Sequence, residues 1–201
     1  MADIIDPTSF KDLADLNPED VCTRALCGYE DVNRCYTVTV WGDKYAVYPY
    51  EAKIERIGNG SDAPHEYLYV FIINYLLQAK KSDLFNEWIS EKDIPGGSTF
   101  FRGPHEVPVS LISRRYSGNI SEFKRICEKL NGISLNMADA AYAFKITPRI
   151  QVAVLFWDGD DEFPPESKIL YDRSIVGQLA LDIVFALSVG ICTRIGKGMV
   201  S

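Results

Sequence analysis

The chain has 201 residues, of which 47% are hydrophobic and 24% are charged. A chain with this much apolar surface buries enough of it to fold, which excludes disorder as the dominant state. The formal net charge of −7 argues against a nucleic-acid partner, because phosphate binding depends on clustered lysine and arginine side chains. A core of this size needs no disulfide or metal, and we expect a single globular domain over residues 1–201.

A helix start and a hairpin stand out in the first part of the chain. Asn17 is followed by Pro18 and two acidic residues, a pattern typical of a helix start. Apolar and polar residues then alternate on both sides of the turn Gly42-Asp43, as expected for a β-hairpin. The predicted elements are a helix from the Asn17 cap to Gly28 and strands over residues 35–41, 44–48 and 52–57.

The next predicted element is a helix that is apolar on nearly every side. We expect it to start at Pro64, with Ser61 or Asp62 near its cap, and to lie buried at the centre of the fold. The further predicted elements are helices over residues 108–116 and 120–130, strands over residues 141–147, 150–157 and 168–171, and a last helix that is capped by Ser174 and ends before Gly190. Because strands and helices occur in blocks, the predicted fold class is α+β, with a mainly antiparallel sheet packed against several helices and one buried central helix.

The sequence predicts a cytoplasmic protein with reduced thiols. No basic stretch leads into an apolar run near the N-terminus, and the five cysteines are an odd number. The spacing of Cys22, Cys27 and Cys35 matches no standard zinc or iron–sulfur pattern, which favours buried thiols over a metal site. The most apolar segment, residues 175–195, contains Asp182, whose charge would be costly in lipid, so we expect a buried helix and no membrane partner.

The first candidate site is residues 94–106, called here the glycine segment, which contains three glycines and two prolines. This composition predicts a shaped loop whose backbone can approach a ligand closely. Arg102 offers a planar fork for a carboxylate or phosphate, and His105 offers an acid, a base or a metal ligand near neutral pH. The candidate ligand-binding residues are Gly96, Gly97, Phe100, Phe101, Arg102 and His105, of which Arg102 and His105 are also the catalytic candidates. The alternative is a structural loop whose glycines make turns and whose aromatic side chains fill the core.

The second candidate site is residues 152–166, called here the acidic segment, in which an apolar strand leads directly into a group of acidic residues. Packed carboxylates repel one another, so they need solvent, a basic partner or a cation. The candidate metal ligands are Asp158, Asp160, Asp161 and Glu162, although the spacing of the standard calcium loop is absent. The alternative is a solvated acidic turn held by Pro164-Pro165. With only two histidines in the chain, His65 and His105, a metal site built on several histidines is excluded.

Parts of both segments resemble a known family. The first string that carries the resemblance is Pro95-Gly96-Gly97, followed by Phe100-Phe101-Arg102-Gly103-Pro104-His105. The second string is Phe156-Trp157-Asp158-Gly159-Asp160-Asp161-Glu162-Phe163-Pro164-Pro165-Glu166, followed by Leu170-Tyr171-Asp172-Arg173-Ser174-Ile175. They are similar to the family catalogued as domain of unknown function 3786, and the similarity covers most of the chain. The family is associated with anaerobic bacteria and archaea, and some members carry a four-cysteine iron–sulfur module that this chain lacks.

The resemblance implies an accessory binding role in anaerobic metabolism, because some members of the family are expected beside corrinoid and methyl-transfer enzymes. In this first hypothesis, Phe100 and Phe101 stack on a planar ligand such as a corrinoid. Arg102 would hold an anionic arm of that ligand, and His105 would contact a metal or a polar edge. The expected partners are a small-molecule ligand or a protein of a cofactor pathway. The family has no catalytic residues that can be assigned to positions of this chain.

Two other functions are alternatives. In a metal-assisted hydrolase or transferase, the acidic segment would bind a divalent cation, His105 would act as acid or base, and Arg102 would stabilise an anion. In an interaction adaptor, the acidic segment would meet a basic partner protein. The site assignments for ligand binding and for catalysis require the glycine segment and the acidic segment to line a shared cavity.

Overall fold

The computed structural model of the chain describes residues 4–58 and 65–198. Two helices and a four-stranded sheet come first. The elements are α1 (Pro7–Asp15), α2 (Pro18–Ala25), β1 (Gly28–Glu30), β2 (Cys35–Val40), β3 (Asp43–Tyr48) and β4 (Lys53–Ile57). The strands follow the order β1-β2-β3-β4, and each neighbouring pair is antiparallel, so this sheet is a meander.

Local sequence accounts for most of these elements. The Asn17 side chain accepts hydrogen bonds from the backbone N–H groups of Glu19 and Asp20, which confirms the predicted helix start. The predicted helix end at Gly28 is wrong, because Leu26 with a φ of 52° ends α2, and Gly28 already begins β1. The predicted hairpin and third strand correspond to β2, β3 and β4 and are confirmed.

A buried central helix and several shorter elements follow. They are α3 (Glu66–Gln78), β5 (Trp88–Ser90), α4 (Gly97–Phe100), α5 (Ser110–Tyr116) and α6 (Ile120–Lys129). The predicted start of α3 at Pro64 and the candidate caps Ser61 and Asp62 lie outside the described residues. Within the described part, the Nδ1 atom of His65 accepts a hydrogen bond from the backbone N–H of Tyr67 and caps α3. Seven residues of α3 are buried, which confirms the predicted central helix.

The second sheet has five strands and is also antiparallel. Besides β5 it contains β6 (Ile133–Leu135), β7 (Ala140–Thr147), β8 (Ile150–Trp157) and β9 (Glu166–Asp172), and the chain continues into α7 (Ile175–Gln178) and α8 (Leu181–Gly196). The strand order is β5-β9-β8-β7-β6. The expected single last helix is wrong at two points: the backbone is extended at Leu179 and Ala180, and α8 continues through Gly190. Gly190 does not end α8 because this buried turn packs on Leu68 of α3.

One cluster of buried hydrophobic side chains connects both sheets. It includes Val38 and Val40 of the first sheet and Phe144, Phe156 and Tyr171 of the second, and the helices α3 and α8 contribute many of its other members. The helices and the two antiparallel sheets confirm the predicted α+β class. Among the described residues, no helix is both long enough and apolar enough to cross a membrane.

Candidate functional site

The glycines of the glycine segment have structural roles. Gly96 has a φ of 81°, which lies in the left-handed region. Gly97 is buried in α4, and a Cβ there would overlap the backbone carbonyl oxygen of Glu91. Glu91 belongs to a turn in which the backbone N–H and the Oγ of Ser90 donate to Asp93 Oδ2, at 2.9 and 2.6 Å. Glycine at position 97 therefore allows two segments of the chain to pack closely.

The aromatic side chains of the glycine segment contact other parts of the protein. Phe101 is 5% exposed and belongs to the core. The ring of Phe100 stacks on the ring of His105, with the centroids 4.5 Å apart and 20° between the ring planes. The His105 ring also contacts Phe185 of α8 edge to face, at a centroid distance of 5.5 Å. Both phenylalanine rings thus have partners within the fold, and their stacking on a ligand stays a prediction.

The two catalytic candidates, Arg102 and His105, lie on the surface. Both side chains are exposed, and Arg102 forms no ion pair with any residue in the ranges 4–58 and 65–198. Gly103, with a φ of 56°, turns the chain between them. Catalytic roles for Arg102 and His105 stay predictions.

The other histidine of the chain, His65, caps α3. Burial lowers the pKa of His65, which favours the neutral imidazole that this capping role requires.

The acidic segment forms a tight turn after β8. Gly159 has a φ of 78°, and a Cβ there would lie 2.6 Å from the backbone nitrogen of Pro165. Asp160 Oδ1 accepts hydrogen bonds from the backbone N–H groups of Glu162 and Phe163, each at 2.8 Å. The backbone N–H of Asp160 donates to the carbonyl of Phe163 at 2.9 Å. The Asp160 carboxylate therefore closes the turn by bonding its own backbone, as in an Asx turn.

The four candidate metal ligands do not form a common site in this structure. Asp158 Oδ1 accepts a hydrogen bond from the backbone N–H of Gly118 at 2.7 Å, which ties the turn to the connection between α5 and α6. Asp161 and Glu162 are exposed. Among the described residues, no group of three or more histidine, cysteine, aspartate or glutamate side chains is arranged to hold a metal ion. Cation binding by this segment stays a prediction.

Asp160→Ala should lower the free energy of unfolding by about 1 kcal/mol, because two backbone N–H groups lose their acceptor at the turn. Chemical denaturation of the variant and the wild type measures the difference, and equal stabilities would contradict the role of Asp160 in the turn.

The hypothesis that the acidic segment binds a cation makes a separate prediction. Ca²⁺ or Mg²⁺ would raise the thermal unfolding midpoint, and Asp161→Asn, which leaves the hydrogen bonds of the turn intact, would abolish that rise.

A cleft of about 310 Å³ lies where the glycine segment and the acidic segment approach each other. We call it the polar cleft. It is lined by the turn before the glycine segment, by residues 101–109 and by the start of β9. The lining residues are Ser90, Glu91, Lys92, Phe101, Glu106, Val107, Val109, Glu166, Ser167, Lys168 and Ile169. Both segments therefore contribute residues to one concavity, but of the candidate site residues only Phe101 lines it.

The chemistry of this cleft differs from the chemistry that the sequence predicts. The glycine segment contributes Phe101 and Glu106, and the acidic segment contributes Glu166. The candidate residues that do not line the cleft are Gly96, Gly97, Phe100, Arg102, His105, Asp158, Asp160, Asp161 and Glu162. The polar cleft thus does not bring the candidate catalytic residues and the candidate metal ligands together.

Ser167 is one of the residues of the polar cleft that were not candidates from the sequence. Its side chain is 3% exposed, and within the described part of the chain its Oγ has no hydrogen-bond partner. Buried polar groups are nearly always hydrogen-bonded, so the unpaired Oγ of Ser167 is an exception, and water or a ligand could supply the missing partner. A signal was available in the sequence, because Ser167 shares the inward positions of β9 with Ile169 and Tyr171.

Five charged side chains of both signs line the polar cleft: Glu91, Lys92, Glu106, Glu166 and Lys168. Within the described residues, none of them forms an ion pair at 4 Å or less. The three carboxylates and two ammonium groups give the lining a net charge of −1. The lining of the cleft therefore presents groups of both charge signs.

Asp172 and Arg173 form structural contacts with the chain that precedes β5. Asp172 is 1% exposed, and its carboxylate accepts hydrogen bonds from the backbone N–H groups of Phe85 (3.0 Å) and Asn86 (2.6 Å) and of Ser174 (2.9 Å). Arg173 forms an ion pair with Glu87, at 2.9 Å. These contacts hold the chain that precedes β5 against the end of β9.

All five cysteines are free thiols, as expected from the sequence. Cys35, Cys127 and Cys192 are buried, and the Sγ atoms of Cys22 and Cys27 lie 3.9 Å apart. Burial raises the pKa of Cys27 to about 12 and also raises the pKa of Cys22. The thiols are therefore protonated at neutral pH, which agrees with a packing role.

A match to a protein-family model confirms the family that the sequence strings resemble. A family model described as Domain of unknown function (DUF3786) matches residues 17–194. The chain belongs to this family. The matched range includes the glycine segment, the acidic segment and every residue that lines the polar cleft. Neither the curated proteins nor the solved structures gave a match.

Proposed function

We propose that this member of the DUF3786 family is a binding protein for a small polar ligand, which occupies the polar cleft. The observation that carries the proposal is that Ser167, a residue of the cleft lining, has a buried Oγ without a hydrogen-bond partner among the described residues. Binding sites for small molecules typically combine an apolar wall with a few placed polar groups. Phe101, Val109 and Ile169 supply such a wall beside this hydroxyl.

The charges of the polar cleft favour a zwitterionic ligand of about the size of an amino acid. The glutamates attract a cationic group, and Lys92 and Lys168 attract an anionic group of the same molecule. The volume of about 310 Å³ lies at the lower end of small-molecule sites. A corrinoid macrocycle is larger than this cleft, so the polar cleft supports a smaller ligand. The accessory role in anaerobic cofactor metabolism that the family resemblance implies stays a prediction.

Ser167→Ala separates a ligand-binding role of this hydroxyl from a structural role. The substitution removes an unpaired buried hydroxyl, so we expect the free energy of unfolding to stay the same or to rise by about 1 kcal/mol. Binding should weaken, because the proposed hydrogen bond between the ligand and the Ser167 hydroxyl is lost. Thermal unfolding with a millimolar panel of the standard amino acids and glycine betaine measures both effects, since a ligand at one hundred times its Kd stabilises the fold by about 2.7 kcal/mol.

The matched control is Ser134→Ala, which removes an exposed serine of β6. We expect this variant to keep the ligand-induced rise of the unfolding midpoint that Ser167→Ala loses. The proposal is contradicted if no member of the panel stabilises the wild type, or if the two serine variants respond equally to the stabilising member.

A further inference from the structure

A second part of the fold has no regular structure, and buried side chains form hydrogen bonds with its backbone. Residues 80–87, called here the clamped segment, connect the end of α3 to β5. Near its start, the Gln178 side chain accepts from the Lys80 backbone N–H at 2.7 Å and donates to the Lys80 carbonyl at 3.1 Å. In the middle, Arg149 Nη1 donates to the carbonyl of Ser82 at 2.9 Å. At its end, Asp172 accepts the backbone N–H groups of residues 85 and 86.

The three clamping side chains are buried, which gives this arrangement an energetic cost. Gln178 is 2% exposed, Asp172 1% and Arg149 9%. Burying charged and amide groups is unfavourable unless their hydrogen bonds are satisfied. Here hydrogen bonds from the three side chains satisfy backbone groups of one connecting segment, so the backbone of this segment is positioned before any ligand arrives. Such preorganisation lowers the entropy lost on binding.

The clamped segment forms one wall of a groove of about 760 Å³, and α7 with the preceding Arg173 forms the opposite wall. Phe85 and Val176 present apolar side chains to this groove and are 59% and 42% exposed. Ile89 of β5 adds a partly buried apolar side chain. The groove therefore has an apolar surface that faces solvent.

The charge of the groove wall is positive, in contrast to the net charge of −7 of the whole chain. Lys80, Lys81 and Arg173 line the groove, together with the carboxylates of Glu87 and Asp93. Glu87 pairs with Arg173, and Asp93 accepts two hydrogen bonds from Ser90. Neither lysine forms an ion pair with any residue of the described ranges. Two ammonium groups are thus left for a ligand.

We propose that this groove is a second binding site, separate from the polar cleft, for an organic anion with an apolar body. The apolar body of the ligand lies against Phe85, Ile89 and Val176, and its anionic group lies between Lys80 and Lys81. Charge complementarity selects an anion, and the exposed apolar surface selects a ligand with a hydrocarbon or aromatic part.

Octanoate, octanamide and acetate test in one experiment whether binding needs both the negative charge and the apolar body of the ligand. Each is titrated into the ¹⁵N-labelled full chain, and the backbone amide shifts are followed. We expect octanoate to shift the amides of residues 80–87 and 173–178, octanamide to bind at least about tenfold more weakly because it lacks the charge, and acetate to cause no saturable shift at these positions. K80E/K81E should weaken octanoate binding by at least about tenfold for the same reason.

The matched control is K124E/K129E, which reverses the same number of exposed lysine charges on α6. This variant keeps the net charge equal to that of K80E/K81E, and it should bind octanoate like the wild type. The proposal is overturned if octanoate shifts no amides of the groove, if octanamide binds as tightly as octanoate, or if both double variants lose affinity equally. Shifts confined to Ser90, Ser167 and Lys168 would instead place octanoate in the polar cleft and would also overturn it.

Discussion

Asp172→Ala should lower the free energy of unfolding by about 4 kcal/mol. The buried carboxylate accepts hydrogen bonds from the backbone N–H groups of Phe85, Asn86 and Ser174. Its removal leaves three donors without an acceptor, and each buried donor left unpaired costs about 1–3 kcal/mol. The clamped segment also loses its attachment to the end of β9. Urea denaturation of the variant and the wild type measures the loss.

Glu87→Gln is the control for this prediction. Glu87 is a carboxylate of the same segment, but its pair with Arg173 lies on the surface, with both side chains more than half exposed. An exposed ion pair contributes at most about 1 kcal/mol, so this variant should remain close to the wild type. A loss in Asp172→Ala that is no larger than the loss in Glu87→Gln would contradict the anchoring role of Asp172.

The Asp172 carboxylate also makes stability depend on pH. Burial acts to raise the pKa of Asp172, but hydrogen bonds from Ser174, Phe85 and Asn86 outweigh it and hold the pKa below its usual value. Because the folded state favours the ionised form, the stabilisation is complete above the unfolded pKa of about 4 and is lost as the pH falls through the lower folded pKa. Below about pH 4, the stability of the wild type should therefore fall more steeply than that of Asp172→Asn, and parallel curves would contradict this.

Gly97→Ala should destabilise the fold by about 3 kcal/mol. A Cβ at this position overlaps the backbone carbonyl oxygen of Glu91, and a backbone atom cannot move aside as a flexible side chain can. Because Glu91 lines the polar cleft, the displacement should also weaken the ligand-induced stabilisation. Thermal and chemical denaturation, each with and without the stabilising member of the amino-acid panel, measure the two effects.

Gly177→Ala is the matched control for Gly97→Ala. Gly177 also lies in a short helix, α7, but a Cβ there would have no heavy atom within 4 Å. Alanine at such a position should change stability by less than about 1 kcal/mol, in the stabilising direction, because it restricts the unfolded chain. Equal effects of the two glycine substitutions would show that the contact with Glu91 is relieved at low cost, and that the close packing of the glycine segment is unimportant.

Elements with a local signal could be predicted from the sequence. The hairpin of β2 and β3 follows from its alternation around Gly42-Asp43, and β7 and β8 correspond to the predicted strands on either side of Pro148. The break between α7 and α8 falls at Leu179 and Ala180, and the one glycine near it, Gly177, lies inside α7, so the sequence does not mark the position of the break. The three-residue strands β5 and β6 are too short for a periodicity and exist through pairing with longer strands.

The candidate site could be predicted only in part. The glycine segment and the acidic segment do approach one another, and both contribute to the polar cleft. The sequence indicates which residue types carry chemistry, but their direction depends on tertiary contacts. His105 is directed to Phe185, and Asp160 is directed to its own backbone, although both residue types are typical of catalytic sites. Ser167, in contrast, is a residue type with no special functional signal, yet its buried hydroxyl has no hydrogen-bond partner among the described residues.

The central claim is that the polar cleft is the ligand site of this chain. The most direct test is amide-shift mapping of the ¹⁵N-labelled protein with the member of the amino-acid panel that raises the unfolding midpoint most. We predict saturable shifts for residues 90–92, 106–107 and 167–169, and their loss in Ser167→Ala. Shifts centred on Phe100 and His105, or shifts that Ser167→Ala leaves unchanged, would contradict the account.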